Sequence, residues 1–226
     1  MTESARPDGP WPAWVRPMSM AFVVFLMVYG VELGGFTLSI DEEVSAFDAN
    51  PPAVWLAQGR WGMEALNLLL PAYQSVPVLS TLLFGAGLLY ATWCGLRDLR
   101  LRGRQAEAFA VIHAGFPLWL HIAEFNTLAG GFGIGIAAAA AGVGCGLRAT
   151  DVRGRSGAIL LLAFAVSVYQ TLALYALLLA CLALLAEDPD DASASFAAQT
   201  RALARRAAPM AARMKTTTAQ SRARCV

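Results

Sequence analysis

Three consecutive carboxylates, Asp41, Glu42 and Glu43, follow directly on a long apolar run. A carboxylate held at a membrane surface can take the proton from a sugar hydroxyl as that hydroxyl attacks an activated donor. A solvated acidic loop has the same composition, and alone the triplet favours that plainer reading. The segment 51–70 (PPAVWLAQGRWGMEALNLLL) shifts the balance. Asn50 is a good helix cap and Pro51 suits a first turn. Arg60, Glu64 and Asn67 recur at i, i+4 and i+7, giving one polar stripe on an otherwise apolar helix, with Trp55, Trp61 and the leucines facing elsewhere. Such a helix suits the plane of a membrane interface. There Arg60 can neutralise a phosphate through charge-assisted hydrogen bonds. Its plain alternative is a surface pair with Glu64, worth roughly a few tenths of a kcal/mol.

Two further places hold polar groups in apolar surroundings. Glu32 falls inside the first apolar run, and an intramembrane carboxylate is costly enough to face a cavity or a partner. The segment AFAVIHAGFPLWLHIAEF holds His113, Pro117, His121 and Glu124. His121 and Glu124 share a helical face at i, i+3. Two histidines eight residues apart and one glutamate fall short of a metal-ligand signature, so the reading here is structural or substrate-lining, and no metal site is predicted.

The elements that must position these residues are membrane spans. Of 226 residues, 57% are hydrophobic and 15% charged, against about 25% charged in a soluble domain. A helix needs about 20 apolar residues to cross the hydrocarbon core. The spacing predicts spans over about 18–40, 75–96, 108–125 and 127–147, then an apolar run at 157–186. That run is either one tilted helix or two segments breaking near Tyr169-Gln170. The fold class is therefore all-α, a polytopic helical membrane protein of five or six spans with an external amphipathic helix in its first loop. Residues 1–17 form a polar N-terminal segment, 18–186 the membrane domain with loop 41–74, and 187–226 a disordered, even aberrant, tail rich in Ala, Arg, Ser and Thr. The first run is too long for the apolar core of a signal peptide and has no small-residue cleavage site, so it reads as retained. Arg residues crowd the N-terminus, 97–107 and 148–156, which places all three in the cytoplasm and loop 41–74 outside. Gly131 and Gly135 in the fourth span have the spacing that lets helices approach closely. Cys94, Cys145, Cys181 and Cys225 have no paired spacing and read as small buried hydrophobes. A net charge of +1 gives no sign of nucleic acid.

Four strings then resemble one family in order and spacing: SIDEE after the first span, WLAQGRWG, FPLWLHIAEF, and SVYQ at 167–170. Together, over residues 18–186, they resemble the Gtr-type O-antigen glucosyltransferases of bacterial inner membranes, the glucosyl transferase II group. The resemblance implies a GT-C type, inverting glycosyltransferase that takes a hexose, glucose, from a polyprenyl-phosphate carrier on the periplasmic side and passes it to a surface polysaccharide such as O-antigen. It implies a catalytic carboxylate in the first external loop, carried over to Asp41 with Glu42 or Glu43 assisting. It makes Arg60 the ligand of the donor phosphate, with Trp61, Glu124, Tyr169 and Gln170 as substrate-binding residues. No cofactor is implied, a divalent cation being the one open addition. Implied partners are the lipid-linked sugar, the polysaccharide acceptor, a donor-lipid synthase and a flippase. Members of the family are usually longer, with more spans, so the resemblance also predicts a C-terminal truncation or frameshift near residue 186.

A second class competes: a non-enzymatic membrane protein such as a flippase subunit or small transporter. Transporters place charges near the bilayer midplane in broken helices. Here most acids gather at one interface, Glu32 excepted, which favours surface chemistry. An inactive remnant of the enzyme is the third reading.

Overall fold

The computed structural model describes residues 12–34, 53–70, 77–123 and 126–186. Those residues form nine helices: α1 (Val15–Gly34), α2 (Ala53–Ala57), α3 (Trp61–Leu69), α4 (Pro77–Asp98), α5 (Gly103–Ala114), α6 (Pro117–Ala123), α7 (Asn126–Arg148), α8 (Val152–Val168) and α9 (Leu172–Ala186). By its contacts the chain divides into Met1–Leu182 and Ala183–Val226. In the second unit the described residues are 183–186, which are helical.

Three segments are long and apolar enough to cross a membrane: Val78–Asp98, Gly103–Ala123 and Leu128–Arg148. Val15–Val31 and Leu172–Ala186 are shorter apolar helices. The protein is thus a polytopic helical membrane protein. The closest packing is between α4 and α7. A Cβ on Gly87 would collide with the Gly133 carbonyl, and one on Gly133 with the Phe84 backbone. In lipid, where the tails are as apolar as the side chains, backbones in such contact gain dispersion energy that larger residues would block. Gly133 makes this approach, between the Gly131 and Gly135 of the sequence motif; Gly135 instead leaves room for Leu172 and Val168. Around the crossing, Tyr29, Phe84, Leu88, Trp119, Phe132 and Ile136 belong to one buried cluster.

Polar contacts fix which helix ends lie together. Asp98, at the end of α4, binds Arg97 Nε at 2.8 Å and pairs with Arg148 at the end of α7. At the other end of the same two helices, the Gly130 N–H donates to Ser80 Oγ at 2.9 Å. Arg16 on the first turn of α1 pairs with Glu107 near the start of α5 at 3.0 Å. The Arg-rich connections after α4 and α7 therefore share one end of the bundle, and α1 starts there too. This is the alternation that the arginine distribution predicts.

Several predicted bounds are corrected. The third span is two helices, because Pro117 has no N–H to give and its ring excludes the preceding turn. Gly115 closes α5 with an N–H bond to Val111 O at 2.9 Å. The run 157–186 resolves into two helices broken at Tyr169, whose φ of −154° and ψ of 122° are extended. α8 also begins earlier, at Val152, because Asp151 caps it by accepting the Gly154 N–H. Segment 51–70 is two short helices rather than one, broken before Arg60. Cys94 is buried as expected, but Cys181 is exposed. Asp41, Glu42, Glu43, Glu124, the N-terminal residues 1–11 and the tail 187–226 lie outside the described residues, as does the side chain of Glu32.

Candidate functional site

The site is built on a turn. Gly59 has φ +74°, a left-handed conformation that costs a residue with a Cβ about 1 kcal/mol or more. It closes α2: the Gly59 N–H bonds Leu56 O at 2.9 Å, and the Arg60 N–H reaches Trp55 O at 2.8 Å. These two bonds are the paired closures of a Schellman motif. Arg60 is thereby ejected from α2 and becomes the residue on which α3 starts, with Trp61 in its first turn.

The Arg60 side chain is held from three directions. Its guanidinium carbon lies 4.4 Å from the Tyr169 ring centroid and 5.6 Å from that of Trp55. Its Nε–H donates to Gln170 Oε1 at 3.3 Å, and Gln170 Nε2 donates in turn to Gln58 O at 2.9 Å. The break between α8 and α9 makes this possible. Tyr169 leaves the helix in an extended conformation, so it and Gln170 turn out of the α8 ladder towards the α2–α3 turn. Two segments 110 residues apart in sequence meet on one cation. Among the described residues, Nη1 and Nη2 of Arg60 have no hydrogen-bond partner. A guanidinium fixed by its Nε and its faces presents its outer edge as a planar fork suited to phosphate or carboxylate. Trp61, 52% exposed, stands beside the site with its ring 6.4 Å from Phe164.

Behind Tyr169 runs an unbroken line of rings into the core. Phe132 meets Tyr169 edge-on at 5.3 Å, Trp119 meets Phe132 at 6.0 Å, and Trp119 meets Tyr175 at 5.5 Å and His113 at 5.9 Å. Trp119 Nε1 donates to His113 O at 2.8 Å. His113 is buried between Thr92 Oγ1, 2.9 Å from Nδ1, and Tyr175 Oη, 3.0 Å from Nε2. The Thr92 hydroxyl spends its one proton on Leu88 O at 2.8 Å. Nδ1 must therefore carry the hydrogen given to Thr92, and Nε2 accepts from Tyr175. His113 is thus a fully used structural histidine joining α4, α5 and α9. Because α7 and α8 run in opposite directions, the Phe132–Tyr169 contact puts the Arg60 site at the end of the bundle away from the Arg-rich connections.

Of the residues singled out by sequence, the fold brings Arg60, Tyr169 and Gln170 into direct contact, with Trp61 adjacent. Asp41, Glu42, Glu43 and Glu124 lie outside the described residues. The polar stripe of Arg60, Glu64 and Asn67 is corrected: Glu64 is 6% exposed, and Arg60 pairs with Gln170 rather than with it. Sequence reasoning missed Trp55 and Gln58 as parts of the site. Both stand in the WLAQGRWG string, Trp55 five residues before Arg60, the spacing that a Schellman closure joins.

A family model described as glucosyl transferase GtrII matches residues 32–213. The chain belongs to the GtrII glucosyl transferase family. The match takes in the Gly59-Arg60-Trp61 turn and the Tyr169-Gln170 break. It also runs on past residue 186, where the motif resemblance was expected to stop. No curated protein and no solved structure gives a significant match. The GtrII assignment and the apolar helices together make the protein a membrane glycosyltransferase by family.

Proposed function

We propose that the protein transfers a hexose, glucose, from a polyprenyl-phosphate carrier to a surface polysaccharide such as O-antigen, on the periplasmic face of a bacterial inner membrane. The observation that carries this reading is Arg60: a guanidinium anchored by Tyr169, Trp55 and Gln170, whose outer N–H groups have no hydrogen-bond partner among the described residues. The donor phosphate fits that edge. An acceptor hydroxyl attacks C1 of the sugar from the face opposite the phosphate, and Asp41, assisted by Glu42 or Glu43, takes its proton. The C1–O bond breaks with inversion, and the electron pair leaves on the phosphate oxygen, where Arg60 offsets the added charge. Trp61 and Glu124 border the sugar. The N-terminus is cytoplasmic in this reading, which the arginine distribution supports. A donor-lipid synthase and a flippase supply the carrier from the other face.

The test compares wild type, Asp41→Asn and Arg60→Gln in membranes given labelled polyprenyl-phosphate glucose and lipopolysaccharide. Transfer by wild type, abolished in Asp41→Asn and slowed in Arg60→Gln, is the expected pattern. Full activity in Asp41→Asn would remove the base from the first external loop, and no transfer by correctly inserted wild type would favour a remnant.

A further inference from the structure

Glu64 sits one helical turn after Arg60, joined to it by the bond from the Glu64 N–H to Arg60 O at 3.2 Å. Its residue is 6% exposed, yet its carboxyl group makes no hydrogen bond or ion pair among the described residues. A cation that would ordinarily pair with it at i, i+4 is at hand and is drawn away by Tyr169 and Gln170. A buried carboxylate without a partner is strongly unfavourable, and native proteins seldom keep one except where a ligand or a mechanism uses it. The turn that carries it is pressed against α8. Gly62, on the same turn, lies so close to α8 that a Cβ there would collide with Ser167 Oγ and press on the Val168 backbone.

We infer that Glu64 is the acceptor for hydroxyl groups of the donor sugar, and so a specificity-determining residue for which hexose is transferred. The inference rests on the reading of Arg60 as the phosphate ligand. Glu64 lies on the first turn of α3, which Arg60 caps, so a donor held by its phosphate at Arg60 carries its sugar beside that turn. Two sugar hydroxyls would supply hydrogen bonds to a carboxylate that has no partner among the described residues, and those bonds respond to the configuration of the hydroxyls.

The experiment uses the full chain in lipid nanodiscs and three probes: sugar-free polyprenyl phosphate, polyprenyl-phosphate glucose and its galactose epimer. Glu64→Met removes the acceptor at similar volume, and Glu64→Gln keeps the shape. Wild type should bind the glucose lipid better than the other two. Glu64→Met should weaken glucose-lipid binding about 10-fold, the worth of a hydrogen bond to a charged group. It should leave sugar-free lipid binding unchanged and melt no lower than wild type. Glu64→Gln, which covers the case in which the Met variant does not fold, should narrow the glucose-to-galactose preference. Arg60→Gln should weaken all three probes alike. Glu64 variants that bind every probe like wild type, or that weaken the sugar-free lipid as much as the glucose lipid, would overturn the inference. If Arg60→Gln changed none of the probes, the phosphate reading itself would fall.

Discussion

The Tyr169 ring does more for Arg60 than occupy space, and removing its face has a calculable effect. At 4.4 Å the guanidinium is well within cation–π range, worth about 0.5–1 kcal/mol when exposed and about 2 kcal/mol when desolvated. Arg60 is partly buried, so about 1–1.5 kcal/mol is a fair value. Tyr169→Leu forfeits that anchoring and also the edge contact with Phe132. With the guanidinium freed to swing, donor KM should rise roughly 5- to 10-fold at 1.4 kcal/mol per decade, with kcat moving less. Tyr169→Phe keeps the ring face and should stay within about twofold of wild type. The assay is label transfer at varied donor concentration, run with Arg60→Gln and the Arg60/Tyr169 double variant as a cycle. The effect of Tyr169→Leu should disappear in the Arg60→Gln background. Equal losses from Leu and Phe, or fully additive losses in the cycle, would refute the positioning argument.

Gly133→Val should prevent correct assembly, because its Cβ meets the Phe84 backbone, which cannot give way as a side-chain tip can; the readout is the yield of protein surviving detergent extraction. Asp98→Asn should destabilise the fold by about 1–3 kcal/mol, since the Asp98 side chain is 10% exposed and two guanidiniums lose their shared counter-charge; thermal melting in detergent checks this. Gly59→Ala should cost about 1 kcal/mol of strain and raise donor KM, the two effects read by melting and by kinetics on one preparation.

Much of the fold was legible because apolar length and arginine placement are local signals. The spans near 75–96 and 127–147 follow from composition along short windows, whereas for 157–186 composition allows both one tilted helix and a break at Tyr169-Gln170. Pro117 is visible too, and its missing N–H and its ring split the third span into two helices. The site was legible only in pieces. A glycine inside an amphipathic pattern is tolerated, so Gly59 gave no warning that 51–70 is two helices. Once Gly59 turns left-handed, the i, i+4 logic joining Arg60 to Glu64 no longer governs the Arg60 side chain. What replaces it, Tyr169 and Gln170, is 110 residues away, and one sequence carries no signal for that distance. The same holds for Gly133, which looks like its neighbours Gly131 and Gly135 until α4 is packed against it.

The most direct measurement of lipid-linked sugar transfer is made in proteoliposomes holding this chain alone, with polyprenyl-phosphate glucose of known anomeric configuration and a defined oligosaccharide acceptor. The product is analysed by NMR for its anomeric linkage. The transferred glucose should have the configuration at C1 inverted relative to the donor, and none should be transferred when a nucleotide sugar replaces the lipid. Retention at C1, or transfer from the nucleotide sugar, would contradict inverting transfer from the lipid carrier.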